Sequence, residues 1–238
     1  MIDKKILLFN PPGRLFQRGE DRSQGNVEDS TATVLRTPID LCYMAAVARS
    51  LGATCHIIDF PAEANDWEYF ERTLSELNPD VLIMSITTTT VLDDMRAFRL
   101  AKEKNPNILC VAKGALFFNP EPKLLQQPEF SFMDYAIGGE SDAVLAKLLP
   151  IHFAGKDPSQ VPDISYRTQE GNWHSTSFGA FESNLDQIPF PARDLIRNKL
   201  YIRPDTGEPQ TTIVTARGCP YSCTFCLTPV ISGKEGRL

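Results

Sequence analysis

The sequence predicts an α/β protein: a Rossmann-like, flavodoxin-like, five-stranded parallel sheet, doubly wound. Three observations carry this. Short apolar runs alternate with amphipathic helical stretches at a spacing of about 30 residues, the length of one βα unit. The first run, Ile6-Leu7-Leu8-Phe9, is continuous rather than alternating, as in a strand covered on both faces. Turn residues or helix caps close the runs. A repeat at this period also describes solenoids, but the units share no residue pattern. The expected strand order is 2-1-3-4-5, with ligands at the carboxyl ends of the strands.

The elements follow in order. Ile6-Leu7-Leu8-Phe9 is the first strand, stopped by Asn10-Pro11-Pro12-Gly13. Residues 14–36 are polar and aperiodic, which predicts a long loop. After Pro38, Leu41, Met44, Ala45, Val47, Ala48 and Leu51 share a helical face, and Gly52 ends it. Thr54 to Asp59 is the second strand. Trp67, Phe70, Leu74 and Leu77 mark the next helix, Val81 to Ser85 the third strand, and Val91 to Lys104 a helix. Ile108 to Ala112 is the fourth strand, with a short helix between Pro120 and Gln127. Tyr135-Ala136-Ile137 is the fifth strand, and Glu140 to Leu149 closes residues 1–153 as one domain. Residues 154–208 predict a connector. Within it, Asp163 to Arg167 and Trp173 to Phe178 form a small hairpin around Gln169-Glu170-Gly171-Asn172. Arg193 and Asp194 read as a structural ion pair. Residues 209–238 open a further domain, with Thr211 to Thr215 as its first strand.

Composition narrows the function classes. The 238 residues are 42% hydrophobic with a net charge of −6, which gives no electrostatic pull toward nucleic acid. No run approaches the ~18 apolar residues of a membrane span. Met1-Ile2-Asp3-Lys4-Lys5 leads straight into a strand and is not a signal peptide. Cys42, Cys55 and Cys110 lie in apolar patterns and read as free buried thiols. The expected compartment is the cytoplasm.

Four loops fall at the carboxyl ends of the strands. Pro11 and Pro12 follow the first. Ser85, Thr87 and Thr88 belong to a hydroxyl-rich run before a helix amino terminus, suited to a phosphate or a polar ring or simply to capping. Gly114 lies in the fourth-strand loop. Gly138, Gly139 and Glu140 follow the fifth strand, where the glycines permit either close approach to a ligand or an ordinary tight turn. No GxGxxG follows the first strand, which counts against a typical dinucleotide site.

The most specific motif is Cys219-Pro220-Tyr221-Ser222-Cys223-Thr224-Phe225-Cys226, a CxxxCxxC loop behind a β-branched run. Thiolates this close together are ligands for a soft metal centre. Structural zinc wants a fourth Cys or His, and none follows. A disulfide needs an oxidising compartment, and a thioredoxin-like site leaves the third cysteine without a role. Three thiolates suit a [4Fe–4S] cluster with one open iron.

This spacing, with Phe225 before the last Cys, resembles the signature of radical S-adenosylmethionine (SAM) enzymes. Lys5 to Gly13, Thr37 to Ala46 with Leu51-Gly52 and Asp59, Tyr135 to Glu140, and Ile188 to Leu195 resemble corresponding stretches of the cobalamin-binding members. The resemblance covers nearly the whole chain. It implies a Rossmann-like cobalamin domain followed by a partial TIM barrel. It implies that Cys219, Cys223 and Cys226 hold the cluster, that Phe225 packs near SAM, and that Pro11, Pro12, Ser85, Thr87, Thr88, Gly114, Gly138, Gly139 and Glu140 line the cobalamin site. The family's Asp-x-His-x-x-Gly motif is missing, and of its Gly-Gly-Pro-His loop only Gly114 remains in Ala112 to Phe117. The three histidines, His56, His152 and His174, lie outside the strand-end loops, so no His is expected to coordinate cobalt from below.

The implied reaction is reductive SAM cleavage with cobalamin-dependent methyl transfer, or related radical chemistry on an unactivated carbon. A flavodoxin or ferredoxin is the expected electron donor, and the small-molecule substrate is unknown. The alternative is a non-catalytic cobalamin- or ligand-binding module. A full barrel takes about 250 residues, and only Thr211 to Leu238 follow the connector. The expectation is therefore a fragment or a disrupted gene, and, if the chain is complete, poor order from about residue 205.

Overall fold

A computed structural model describes residues 1–13, 16–17, 24–26 and 35–238. A seven-stranded mixed sheet organises it. Its strands are β1 (Lys5–Asn10), β2 (Thr54–Asp59), β3 (Val81–Ser85), β4 (Leu109–Lys113), β5 (Tyr135–Ile137), β6 (Ile164–Arg167) and β7 (Trp173–Ser175). The order is β2-β1-β3-β4-β5-β6-β7, and the first five run parallel. The expected 2-1-3-4-5 order is present, with its switch between β1 and β3.

Strand β1 is central because both faces of its apolar run are covered. Ile6 and Leu8 point into one core with Leu41, Met44 and Ala45 of α1 (Ile39–Ser50) and Val144, Leu145 and Leu148 of α6 (Ser141–Phe153). Leu7 and Phe9 point into the other, with Phe70 of α2 (Trp67–Leu77) and Phe98 of α4 (Arg96–Lys104). All four β1 side chains are fully buried, and truncating one such Leu to Ala costs ~2–5 kcal/mol.

Local chemistry sets the helix ends. Asp66 caps α2 by accepting the Tyr69 N–H at 2.9 Å, and Asn78 ends it in the left-handed region. The helix expected over Val91 to Lys104 is interrupted by a turn at Met95, giving α3 (Val91–Asp94) and α4. The short helix after β4 is α5 (Pro122–Leu125). No described helix is long and apolar enough to cross a membrane.

Three expectations change. The hairpin is part of the main sheet: β6 pairs antiparallel with β5, Ala136 opposite Ser165, and covers what is otherwise an open edge. Thr211 to Thr215 form no strand. They run as coil with Ile213 exposed, because β-branched residues need a partner strand and none lies beside them among the described residues. Arg193 and Asp194 do not pair: Asp194 meets Arg49 at 2.8 Å, while Arg193 donates to the Thr212 carbonyl at 2.7 Å. The long loop expected over 14–36 lies largely outside the described residues, although Phe16–Gln17 and Gln24–Asn26 pair as a two-stranded ladder.

The connector packs on the sheet. Tyr201, fully buried, donates its hydroxyl hydrogen to Asp59 Oδ2 at 3.0 Å, at the carboxyl end of β2. Arg197 reaches Glu63 nearby at 3.3 Å.

Candidate functional site

Five parallel strands place the loops after β1, β3, β4 and β5 at one edge. Pro11 and Pro12 are buried there. Behind them Asn10 Oδ1, and beside α1 Thr37 Oγ1, are buried with no hydrogen-bond partner among the described residues. Buried polar atoms in native proteins are normally satisfied, so both offer unused capacity to a polar ligand at this edge. A cleft of about 800 Å³ opens beside Pro12 and Gly13, lined also by Trp67, Thr89, Thr90 and Arg96. The Arg96 guanidinium sits 4.6 Å above the Trp67 ring.

The hydroxyl run after β3 is partly self-satisfied. Thr87 and Thr89 share a hydrogen bond at 3.0 Å, and Thr90 donates to Asp94 Oδ2 at 2.8 Å. Thr88 is exposed. Ser85 is buried and donates to Asp40 Oδ2 at 3.4 Å. The same carboxylate takes the buried Lys113 ammonium at the end of β4. This Asp40–Lys113–Ser85 group lies between α1 and the ends of β3 and β4. The sequence signals it only as a lysine closing an apolar strand. Gly114 is buried next to it, where a Cβ would lie 3.1 Å from Ile86.

The glycines after β5 have an internal cause. A Cβ on Gly138 would stand 2.2 Å from the Phe117 carbonyl oxygen, and one on Gly139 would stand 2.7 Å from the Asp163 carboxylate carbon. Asp163 is buried and accepts the N–H groups of Gly179 at 2.6 Å and Ala180 at 3.1 Å; burial raises its pKa against these bonds. Glu140 is buried too. It receives Arg237 and the Glu182 N–H, at 2.5 and 3.2 Å. These three residues thus join protein to protein at the carboxyl edge.

The thiol loop is fastened to the same place. Arg217 forks onto Asp142 in the first turn of α6, and Arg237 forks onto Glu140. The segment beyond residue 205, expected to be poorly ordered in a complete chain, is therefore tied to the α/β body. Within the loop Cys223 is exposed, and Cys219 and Cys226 are half-buried. Phe225 is 92% exposed. No three Cys, His, Asp or Glu side chains among the described residues converge as a metal site. As a donor set, three thiols on one short accessible loop fit a soft metal or an iron–sulfur cluster; as placed, they do not enclose one.

The remaining cysteines are inert by position. Burial pushes the Cys42 thiol up to about 12 and the Cys55 thiol up to about 11, and it raises Cys110 as well. His56 lies within β2, His152 shares a hydrogen bond with the Tyr135 hydroxyl at 3.1 Å, and His174 lies in β7. All three are away from the carboxyl-edge loops.

Residues 30–149, half of the chain, match the B12 binding domain. The chain belongs to the B12-binding domain family. The match spans α1, β2 to β5 and most of α6, and so includes the loops after β3, β4 and β5. Similar curated proteins include an uncharacterized methyltransferase of Pyrococcus horikoshii, 28% identical over 98% of this chain and 47% of the relative. Another is the hopanoid C-3 methylase of Methylococcus capsulatus, 27% identical over 84% of this chain and 38% of the relative. The chain thus spans less than half of the length of these relatives. The cobalamin-dependent S-adenosylmethionine radical enzyme OxsB, solved with aqua-cobalamin and S-adenosylmethionine bound, matches with a TM-score of 0.71 at 16% identity. That alignment covers 99% of this chain and 30% of OxsB and shows a shared fold. The buried Asn10 and Thr37 oxygens, without a partner among the described residues, fit the B12-binding assignment.

Proposed function

We propose that this B12-binding chain is the amino-terminal part of a radical SAM enzyme, working in the cytoplasm with a flavodoxin or ferredoxin as electron donor. One juxtaposition carries the reading. A loop with three soft thiol ligands in CxxxCxxC spacing is fastened to the carboxyl edge of a B12-binding domain. When bound, a [4Fe–4S] cluster with SAM supplies a one-electron route to a carbon radical, and cobalamin supplies a methyl carrier. Methyl transfer to an unactivated carbon, or related radical chemistry, is the reaction class.

The chain's own residues divide the work. Cys219, Cys223 and Cys226 would provide three thiolates to such a cluster. Phe225, exposed on the same loop, would pack near SAM. On the α/β side, Pro11, Pro12, Ser85, Thr87, Thr88 and Gly114 border the cobalamin, while Asn10 and Thr37 offer it polar atoms. Gly138, Gly139 and Glu140 support that edge through their contacts with Phe117, Asp163 and Arg237. With its histidines elsewhere, the chain supplies no imidazole to cobalt.

Anaerobic reconstitution followed by iron and sulfide analysis tests the cluster. About four irons per chain are expected, and Cys223→Ala should abolish them. Failure of the parent to take up iron, or retention of iron by the variant, would contradict the assignment. A second reading, a cobalamin-binding module without turnover, is favoured by the unpaired Thr211 to Thr215 segment and by thiols that do not converge. Cobalamin uptake without iron uptake would select it.

A further inference from the structure

We infer that Glu140, Asp142, Arg217 and Arg237 are positioning residues that hold the thiol loop in one orientation against the B12-binding domain. The inference rests on the proposed cluster role for that loop and goes beyond it, because the clamp lies outside the thiol motif.

The loop begins and ends at one point. Arg217 and Arg237 pair as an antiparallel bridge, the N–H of each donating to the carbonyl of the other at 3.0 and 2.8 Å. Gly218 makes the neck possible: its φ is +84°, and a Cβ there would stand 2.0 Å from the Glu235 carbonyl oxygen. The first ligand is tied into the neck through its backbone, the Cys219 N–H donating to Gly233 O at 3.0 Å.

Both neck arginines turn toward the start of α6. Arg217 Nη1 lies 2.9 Å from Asp142 Oδ1, with Nη2 on Oδ2. Arg237 Nη1 lies 3.0 Å from Glu140 Oε2 and Nη2 lies 2.5 Å from Oε1. Arg237 also donates to the carbonyls of Glu182 and Ser232, at 2.5 and 2.6 Å. An aromatic ring flanks each guanidinium, Tyr43 for Arg217 and Phe181 for Arg237, both at 5.4 Å. The two carboxylate side chains are 1% and 5% exposed, and the two arginine side chains 15% and 11%.

Two parallel forks define direction as well as distance, which a single lysine contact does not. Two buried ion pairs are a poor way to gain stability alone, because desolvation offsets most of the attraction. Their geometric return is an oriented loop. Glu140 follows Gly138-Gly139 at the end of β5, so the loop is registered to the edge where cobalamin binds.

The test has two arms on the whole chain. In metal-free protein, hydrogen exchange of residues 217–237 is compared for parent, Glu140→Gln and Arg237→Lys. The inference expects at least tenfold faster exchange in that segment for both variants and unchanged exchange in β1, β3 and β4. Unchanged loop exchange, or equal acceleration across the sheet, would overturn it. In reconstituted protein, the reduced-cluster electron paramagnetic resonance signal should change in Glu140→Gln at equal iron content. An identical signal would overturn the positioning role. If even the parent takes up no iron, the cluster reading fails and with it the metal role of the clamp, while the exchange arm still decides whether the clamp orients the loop.

Discussion

Replacing Thr37 by valine separates a ligand-facing hydroxyl from a packing one. Thr37 Oγ1 is removed from water and has no partner among the described residues. A buried hydroxyl in that state costs ~1–3 kcal/mol, and valine keeps its shape without the polar atom. The ligand-free variant should therefore gain about 1 kcal/mol, which raises the midpoint of thermal unfolding by about 2–4 °C for a chain of this size. Cobalamin binding should move the other way. Losing one hydrogen bond and leaving a ligand amide unpaired costs ~1–3 kcal/mol, so Kd should rise about 5- to 150-fold. The assays are thermal circular dichroism without cofactor and titration followed by the visible cobalamin spectrum. A generic packing defect lowers stability, whereas a cofactor-facing hydroxyl gives opposite signs. A variant that unfolds at lower temperature and binds like the parent would refute the assignment of Thr37 to the cobalamin edge.

Three further outcomes follow from the same geometry. Tyr201→Phe removes one donor to buried Asp59 and should cost ~1.5–3 kcal/mol, a fall of roughly 3–12 °C in unfolding midpoint; no change would show that the connector is not packed on β2. Native thiol titration near pH 8 should modify Cys219, Cys223 and Cys226 and spare Cys42, Cys55 and Cys110, whose thiols burial pushes upward; six equally reactive thiols would contradict the fold. At Asp80, burial raises the carboxyl, but the Lys5 N–H and the Lys4 ammonium outweigh it and hold it below its ordinary value. Its stabilisation is therefore complete above the unfolded value near pH 4 (~3.9) and is lost as pH falls through the folded value. Urea unfolding of Asp80→Asn should show a deficit near pH 6 that shrinks on acidification, and a constant deficit would contradict this.

The α/β body was legible because buried parallel strands leave unbroken apolar runs. Ile6 to Phe9 read as a strand covered on both faces, and it is; Val81 to Ser85, read simply as a strand, is buried in the same way. The hairpin was legible as a hairpin through its turn residues. Its attachment to β5 was not, because local alternation does not say which edge a hairpin joins. Thr211 to Thr215 misled for the complementary reason: β-propensity is realised only against a neighbour. At the candidate site, the thiol spacing stood out because its ligands are close in sequence. The Lys113–Asp40 pair and the Arg237–Glu140 clamp were invisible, their partners lying 73 and 97 residues apart. Gly138-Gly139-Glu140 shows the ambiguity of such a motif, since a glycine that admits a ligand also admits the chain's own backbone.

We propose that this chain holds cobalamin at the carboxyl edge of its sheet without an imidazole ligand from the protein. Anaerobic titration of the intact chain with cobalamin tests it most directly, followed by visible absorption and, after reduction to Co(II), by electron paramagnetic resonance. The account expects a saturable, stoichiometric spectral change and no nitrogen splitting from a protein histidine. An unaltered spectrum at micromolar protein with excess cofactor would contradict binding, and nitrogen splitting that disappears on replacing His56, His152 or His174 would contradict the account of the lower face.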